Sequence, residues 1–201
     1  MPDLNPLFDE PLSEMNIAVF DIETSGLYPS SHRIIQIATV SVSALQIGAE
    51  YDSLVNPGEE HLPLEDIIVN LTGISTDDLR EAPDITTVLQ KFQSNVGTNV
   101  VAGHNVEGFD LPFIRRAEQR TGIEVQSDYY IDTLKLAYRL QENGPRTLAD
   151  CARYYGLEVD DDALHNALVD THLCGQLLVE QIKDLKSQEV NTFGEMIRFL
   201  S

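Results

Sequence analysis

Three runs rich in apolar and β-branched residues fall within the first 55 positions, and beyond them the apolar spacing changes from the period of a strand to that of a helix. The first run is Asn16-Ile17-Ala18-Val19-Phe20, continuing to about residue 23. The second covers 33–42, and the third covers 51–55 and is closed by Asn56-Pro57-Gly58. Short gaps join the three, which suits antiparallel neighbours. The spacing then predicts short helices over 64–71 and from Ser75, and a longer one over 84–96, where Ile85, Val88, Leu89, Phe92 and Val96 recur at helical intervals. A strand at 99–103, a helix at 111–120 and a short strand at 129–131 follow, then helices at 133–141, 147–155 and 165–187. Strands first, then strands alternating with helices, predict an α/β fold with a mixed sheet covered by helices on both faces.

At 201 residues, 42% of them hydrophobic, the chain suits one substantial domain with a good core. Residues 1–15 read as an irregular lead-in, 16–187 as the domain, and 188–201 as a partly amphipathic tail packed on it. No apolar run approaches the roughly 20 residues that cross a membrane, and the N-terminus lacks a secretory signal. Cys151 and Cys174, both in predicted helices, do not make a disulfide framework, so a cytoplasmic location is expected. The net charge of -20, from 33 acidic against 13 basic residues, disfavours polyanions unless local arginines and bound cations reverse the field. Arg115, Arg116, Arg120, Arg139, Arg146 and Arg153 could form such a local track.

Asp21 and Glu23 end the first strand run, and the period of two puts both carboxylates on one side. Side by side they repel, which is unfavourable at the end of a core strand unless cations neutralise them. An ordinary polar strand end carries equal weight for the pair alone. His104-Asn105-Val106-Glu107-Gly108-Phe109-Asp110 follows the 99–103 strand, at the kind of junction where open α/β sheets hold ligands. Asp110 could also be a plain N-cap. His165 and Asp170, five residues apart, would differ by roughly 140° on an ideal helix, so both serve one site only if His165 precedes the helix proper. Asp132 could order the site, with a helix N-cap the favoured role. His32, His61 and His172 have no partner pattern and read as surface or packing residues.

In order along the chain, Asp21-x-Glu23, His104-Asn105 with Phe109-Asp110, and His165-x-Ala167-x-x-Asp170 resemble the motifs of the DEDDh 3′–5′ exonucleases. That family includes the proofreading epsilon subunit of bacterial DNA polymerase III, with RNase T and oligoribonuclease more distant. The resemblance runs from about 16 to 178, with further matches at 34–37, 71–74, 131–133 and 147–149. It implies a ribonuclease-H-like mixed sheet of about five strands flanked by helices, and two divalent cations, Mg²⁺ or Mn²⁺. It also implies that Asp21 bridges both ions, Glu23 and Asp170 hold the ion that activates water, Asp110 supports the other, and His165 is the general base. Residues Thr24, Gly26, Leu27, Asn105 and Phe109 would border the terminal nucleotide, although core packing explains Phe109 equally well.

The implied substrate is the 3′ end of DNA, single-stranded before duplex, with nucleoside 5′-monophosphates as products. RNA 3′ ends are the alternative, and a catalytically silent nucleic-acid-binding module a remoter one, since all five motif positions are filled. A DNA polymerase or a second copy of the chain are the expected protein partners, and no membrane. Two departures stand out. Three residues separate His104-Asn105 from Phe109-Asp110 where many relatives have two, and Gln36 stands where Glu is frequent.

Overall fold

The computed structural model describes residues 6–141 and 143–201. The first five residues of the expected lead-in lie outside them. Strands β1 (Asn16–Thr24), β2 (Ile34–Ser43) and β3 (Gln46–Leu54) form an antiparallel meander, and β4 (Val100–Gly103) and β5 (Tyr130–Asp132) extend it in parallel on the other side of β1. The resulting sheet has five strands in the order β3-β2-β1-β4-β5. It is the mixed sheet that the pattern of runs predicts.

The third strand begins earlier than its sequence suggests. Ala44 and Leu45 turn the chain at φ 48° and 60°, so β2 and β3 are joined by a two-residue hairpin. The first half of β3, Gln46-Ile47-Gly48-Ala49-Glu50, has no alternation to read because this edge strand is largely exposed on both sides.

Helices cover both faces. Helices α3 (Ile85–Val96) and α4 (Asp110–Thr121) lie on one, where Val88, Leu89, Phe92, Phe113 and Ile114 meet Ala18, Phe20 and Ile22. Helices α5 (Thr133–Leu140) and α7 (Ala167–Ser187) lie on the other, where Leu136, Leu178 and Ile182 meet Ile17, Val19 and Val40. Alternate residues of β1 thus divide between two cores, and the parity that turns Ile17 and Val19 toward α7 applies to Asp21 and Glu23 as well. Between β3 and α3 stand two short helices, α1 (Asp66–Thr72) and α2 (Thr76–Glu81), and α6 (Leu148–Tyr154) precedes α7.

Helix α7 approaches the sheet closely because Gly175 faces Val40 and Ile47, whose side chains would lie 3.3 and 3.5 Å from a Cβ there. Its first residue is tied to β2: the Ala167 N–H donates to Gln36 Oε1 at 3.2 Å, while Gln36 Nε2 donates to Asp52 Oδ1 at 2.9 Å. This explains the glutamine where Glu is frequent, since a carboxylate could not donate to Asp52.

The chain ends in α8 (Phe193–Leu200), capped by Thr192 with Glu195 in a reciprocal box. Phe193 and Met196 are fully buried, and Phe193 meets Phe8 of a 3-10 turn at Pro6–Asp9. Backbone bonds from Leu12 to Asn191 (2.8 Å) and from Phe193 to Glu10 (3.0 Å) join the lead-in to the tail. No helix among the described residues is long and apolar enough to cross a membrane.

Candidate active site

The C-terminal end of β1 delivers the first two carboxylates. Its pairing with β2 slips between Glu23 and Thr24, a bulge that ends the ladder beside them. Thr24 Oγ1 then donates to the Gly26 carbonyl at 2.8 Å, and Gly26 turns with φ 153°. A Cβ on Gly26 would run into the imidazole of His32. His32 therefore packs over Gly26 and borders the site, a place that its reading as a surface or packing histidine did not include; the glycine it covers was the available signal. His172 pairs with Glu50 at 2.8 Å on β3, and His61 with Glu60 at 3.6 Å.

The β4–α4 connection brings Asp110. The extra residue in this connection is absorbed by a tight turn: Asn105 takes φ 60°, its carbonyl accepts from Gly108 and Phe109 (both 3.0 Å), and Val106 enters the core. Asp132, itself 3% exposed, holds the turn by accepting from the N–H groups of Asn105 (2.9 Å) and Glu107 (3.2 Å). It also caps α5 through Leu134 N–H at 3.0 Å. The two roles that its sequence position offered as alternatives are both filled. His104 is a latch within the fold, its ring bonded to Thr133 Oγ1 (2.9 Å) and the Arg146 carbonyl (2.8 Å).

Helix α7 brings the last pair. Asn166 is its N-cap, accepting from Leu168 and Val169, so His165 stands before the helix, with φ 64°. The 140° separation of an ideal helix does not apply. The His165 backbone N–H donates to Asp170 Oδ2 at 3.1 Å, and its exposed ring lines the cleft.

Asp21, Glu23 and Asp170 offer carboxylate oxygens that all lie within 4.8 Å of one another. Asp110, 3% exposed, stands close enough to act on both Asp21 and Glu23. Burial first, then the charges of Asp110, Glu23 and Asp170, push the Asp21 carboxyl well above its ordinary range. Burial and the charges of Asp170 and Asp110 push Glu23 from 4.5 to about 8. Asp110 and Asp170 are raised mainly by burial, against backbone N–H groups that pull them down. One oxygen each of Asp110 and Asp170 is buried with no hydrogen-bond partner. Crowded hard oxygens, two of them orphaned, fit a divalent cation and suit little else.

These residues line a cleft of about 660 Å³ together with Thr24, Gly26, Leu27, Asn105 and Phe109. Its other wall is apolar and comes from α1, where Ile67 and Leu71 are 69% and 48% exposed, beside Leu27 at 70% and Tyr28 at 66%. Sequence reading left α1 as ordinary structure, although apolar residues four apart on so short a helix were the signal. The six arginines of the second half do not form one track. Arg139 bonds the Leu200 carbonyl, Arg146 covers Tyr138, and Arg153 pairs with Asp150 and Asp161.

Residues 18–178 match the family model RNase T, described as exonuclease. The DNA polymerase III PolC-type of Bacillus cereus is 35% identical over 176 residues, which are 87% of this chain and 12% of that protein. That of Staphylococcus epidermidis is 32% identical over 194 residues, 96% of this chain and 13% of that protein. The chain thus spans a small part of the length of these relatives. Exonuclease X in complex with 5′ overhanging duplex DNA superposes with a TM-score of 0.71 at 23% identity, covering 92% of this chain and 99% of that one. E. coli exonuclease I in complex with a dT13 oligonucleotide gives 0.73 at 18%, covering 88% and 43%. At these identities the two structures share the fold.

Proposed function

This chain belongs to the RNase T exonuclease family, and from that membership we propose that it removes nucleotides from the 3′ end of DNA, in proofreading or repair, releasing nucleoside 5′-monophosphates. The observation that carries this reading is the carboxylate cluster, in which Asp21, Glu23 and Asp170 converge within 4.8 Å beside buried Asp110. When bound there, two divalent cations, Mg²⁺ or Mn²⁺, would offset the carboxylates and stabilise the attacking and leaving oxygens of phosphodiester hydrolysis. Asp21 would be shared by both ions, Glu23 and Asp170 would hold the one on the water side, and Asp110 the other.

His165 would take the proton of the attacking water as general base. Its place is coupled to the cluster through the bond from its backbone N–H to Asp170. Thr24, Gly26, Leu27, Asn105 and Phe109 would hold the terminal nucleotide, with the apolar wall of Ile67 and Leu71 offering a surface for an unpaired base. DNA is preferred over RNA because the similar PolC-type proteins are named DNA polymerases and the similar exonuclease structures hold DNA. The same names support a polymerase as the partner.

Incubation with 5′-labelled single-stranded DNA and Mg²⁺ or Mn²⁺ should give a descending ladder, faster than on a matched RNA. His165→Ala should lower the rate by about 10²–10⁴-fold while leaving cation binding intact. A ladder on RNA alone would move the assignment to an exoribonuclease, and no ladder on either polymer would remove it.

A further inference from the structure

Outside the carboxylate cleft, positive charge gathers at one cavity. It has a volume of about 240 Å³ and polar walls from Arg33, Asn56, Glu60, Thr86, Arg120 and Thr121. Acidic residues outnumber basic ones 33 to 13, and Arg80, Lys135, Arg153 and Lys183 all sit in ion pairs. Among the described residues, Arg33 and Arg120 are two of the basic residues that do not, and these two face the same cavity. Glu60 is turned to its neighbour His61 at 3.6 Å.

Arg33 is held in place by its backbone, which exchanges bonds with Ser25: Ser25 N–H to its carbonyl at 2.8 Å, and its own N–H to Ser25 Oγ at 3.0 Å. One guanidinium nitrogen bonds the His32 carbonyl at 2.9 Å, which leaves donors for a ligand. The crowding of cations is felt by the groups themselves. Burial and the Arg33 charge lower the proton affinity of Arg120, and burial with Arg33, Arg120 and His32 lowers that of His61. His32 also lines the carboxylate cleft, so the cavity lies next to it across the residues 32–33.

We propose that this cavity is a phosphate subsite, holding a backbone phosphate of the substrate strand on the 5′ side of the nucleotide being removed. The inference rests on the exonuclease reading. A chain of net charge -20 repels a nucleic acid, and the carboxylate cleft adds to that repulsion. Two guanidinium groups beside the cleft, neither in an ion pair, supply planar forks that match phosphate oxygens. Free inorganic phosphate offers the same oxygens, and the test separates the two sources.

The test compares the wild type, Arg33→Gln/Arg120→Gln, and Arg139→Gln as a charge control. Binding of fluorescein-labelled dT12, with dT2 to dT10 as competitors, is read by anisotropy in Ca²⁺ at several salt concentrations, and inorganic phosphate is titrated in parallel. Wild-type affinity should step up at one strand length, which marks the linkage held. The double variant should lose that step, binding dT12 at least about tenfold more weakly. Its plot of log affinity against log salt should be shallower by about 0.7. Equal dT12 affinity in wild type and double variant overturns the proposal, as does a loss shared equally by dT2, or a loss matched by Arg139→Gln. A change confined to inorganic phosphate assigns the cavity to the free ion and likewise overturns it. Absence of any ladder from the wild type would sink the exonuclease reading separately, and the binding comparison would still decide the subsite.

Discussion

At the scale of single residues, the metal-free site is a set of carboxylates held together against their own repulsion. Glu23 is pushed from 4.5 to about 8, and Asp21 is raised too. A carboxyl whose folded pKa exceeds its unfolded value binds its proton more tightly in the native chain. The associated stability is therefore fully present below pH 4.5 and is lost as pH rises toward 8. In a chelator the melting temperature should fall between those limits, and Mg²⁺ or Mn²⁺ should raise it more at the upper limit than at the lower. Asp21→Asn should lessen the fall, raise the metal-free melting temperature at the upper limit by about 2–4 °C, and weaken the cation effect. Thermal melts of the two proteins with and without cation check this. The variant comparison isolates the cluster from the many other carboxylates, and identical pH profiles would show that the repulsion is relieved some other way.

At the scale of elements, α7 joins the sheet to the site. Its N-terminus is tied to β2 through Gln36, its Asp170 faces the β1 carboxylates, and Gly175 lets it lie against Val40 and Ile47. Gly175→Leu would push the helix off the sheet. Overpacking of this kind costs about 1–3 kcal/mol. The displacement should also draw Asp170 away from Asp21 and Glu23, so activity should fall further than the stability loss alone explains. Urea midpoints and single-turnover rates measured on the same preparation separate the two effects. A variant destabilised but fully active would show that the site does not depend on the seating of α7.

At the scale of the whole molecule, the lead-in and the tail close one end of the core together. Phe193 is fully buried against Phe8 and Tyr129, and α8 contributes Met196 to the same cluster as β1 and α7. Phe193→Ala should cost about 3–5 kcal/mol, read as a lowered urea midpoint, because the cavity it leaves is framed by elements that cannot collapse into it. A loss under about 1 kcal/mol would show that α8 rests on the domain without supporting it. This part of the chain lies beyond residues 18–178, the stretch matched to the family model.

What the sequence determined by itself is what local periodicity and local chemistry can carry. The period of two in 16–23 placed Asp21 and Glu23 on one side of a strand. The change to helical spacing gave the layers, but a helix read from 165 left the place of His165 open until the structure showed Asn166 capping the helix at Ala167. The first half of the edge strand, Gln46 to Glu50, carried no such period and was missed, and the exposed apolar face of α1 was not read as part of the site. Tertiary structure alone decided the rest, because burial and electrostatic repulsion depend on groups distant in sequence. It raised the carboxyl pKa values by bringing strand, loop and helix ends to one cleft, and gave Asp132 both a turn to hold and a helix to cap. It also dispersed an apparent arginine track while setting Arg120 opposite Arg33, a pairing that no local pattern along the chain encodes.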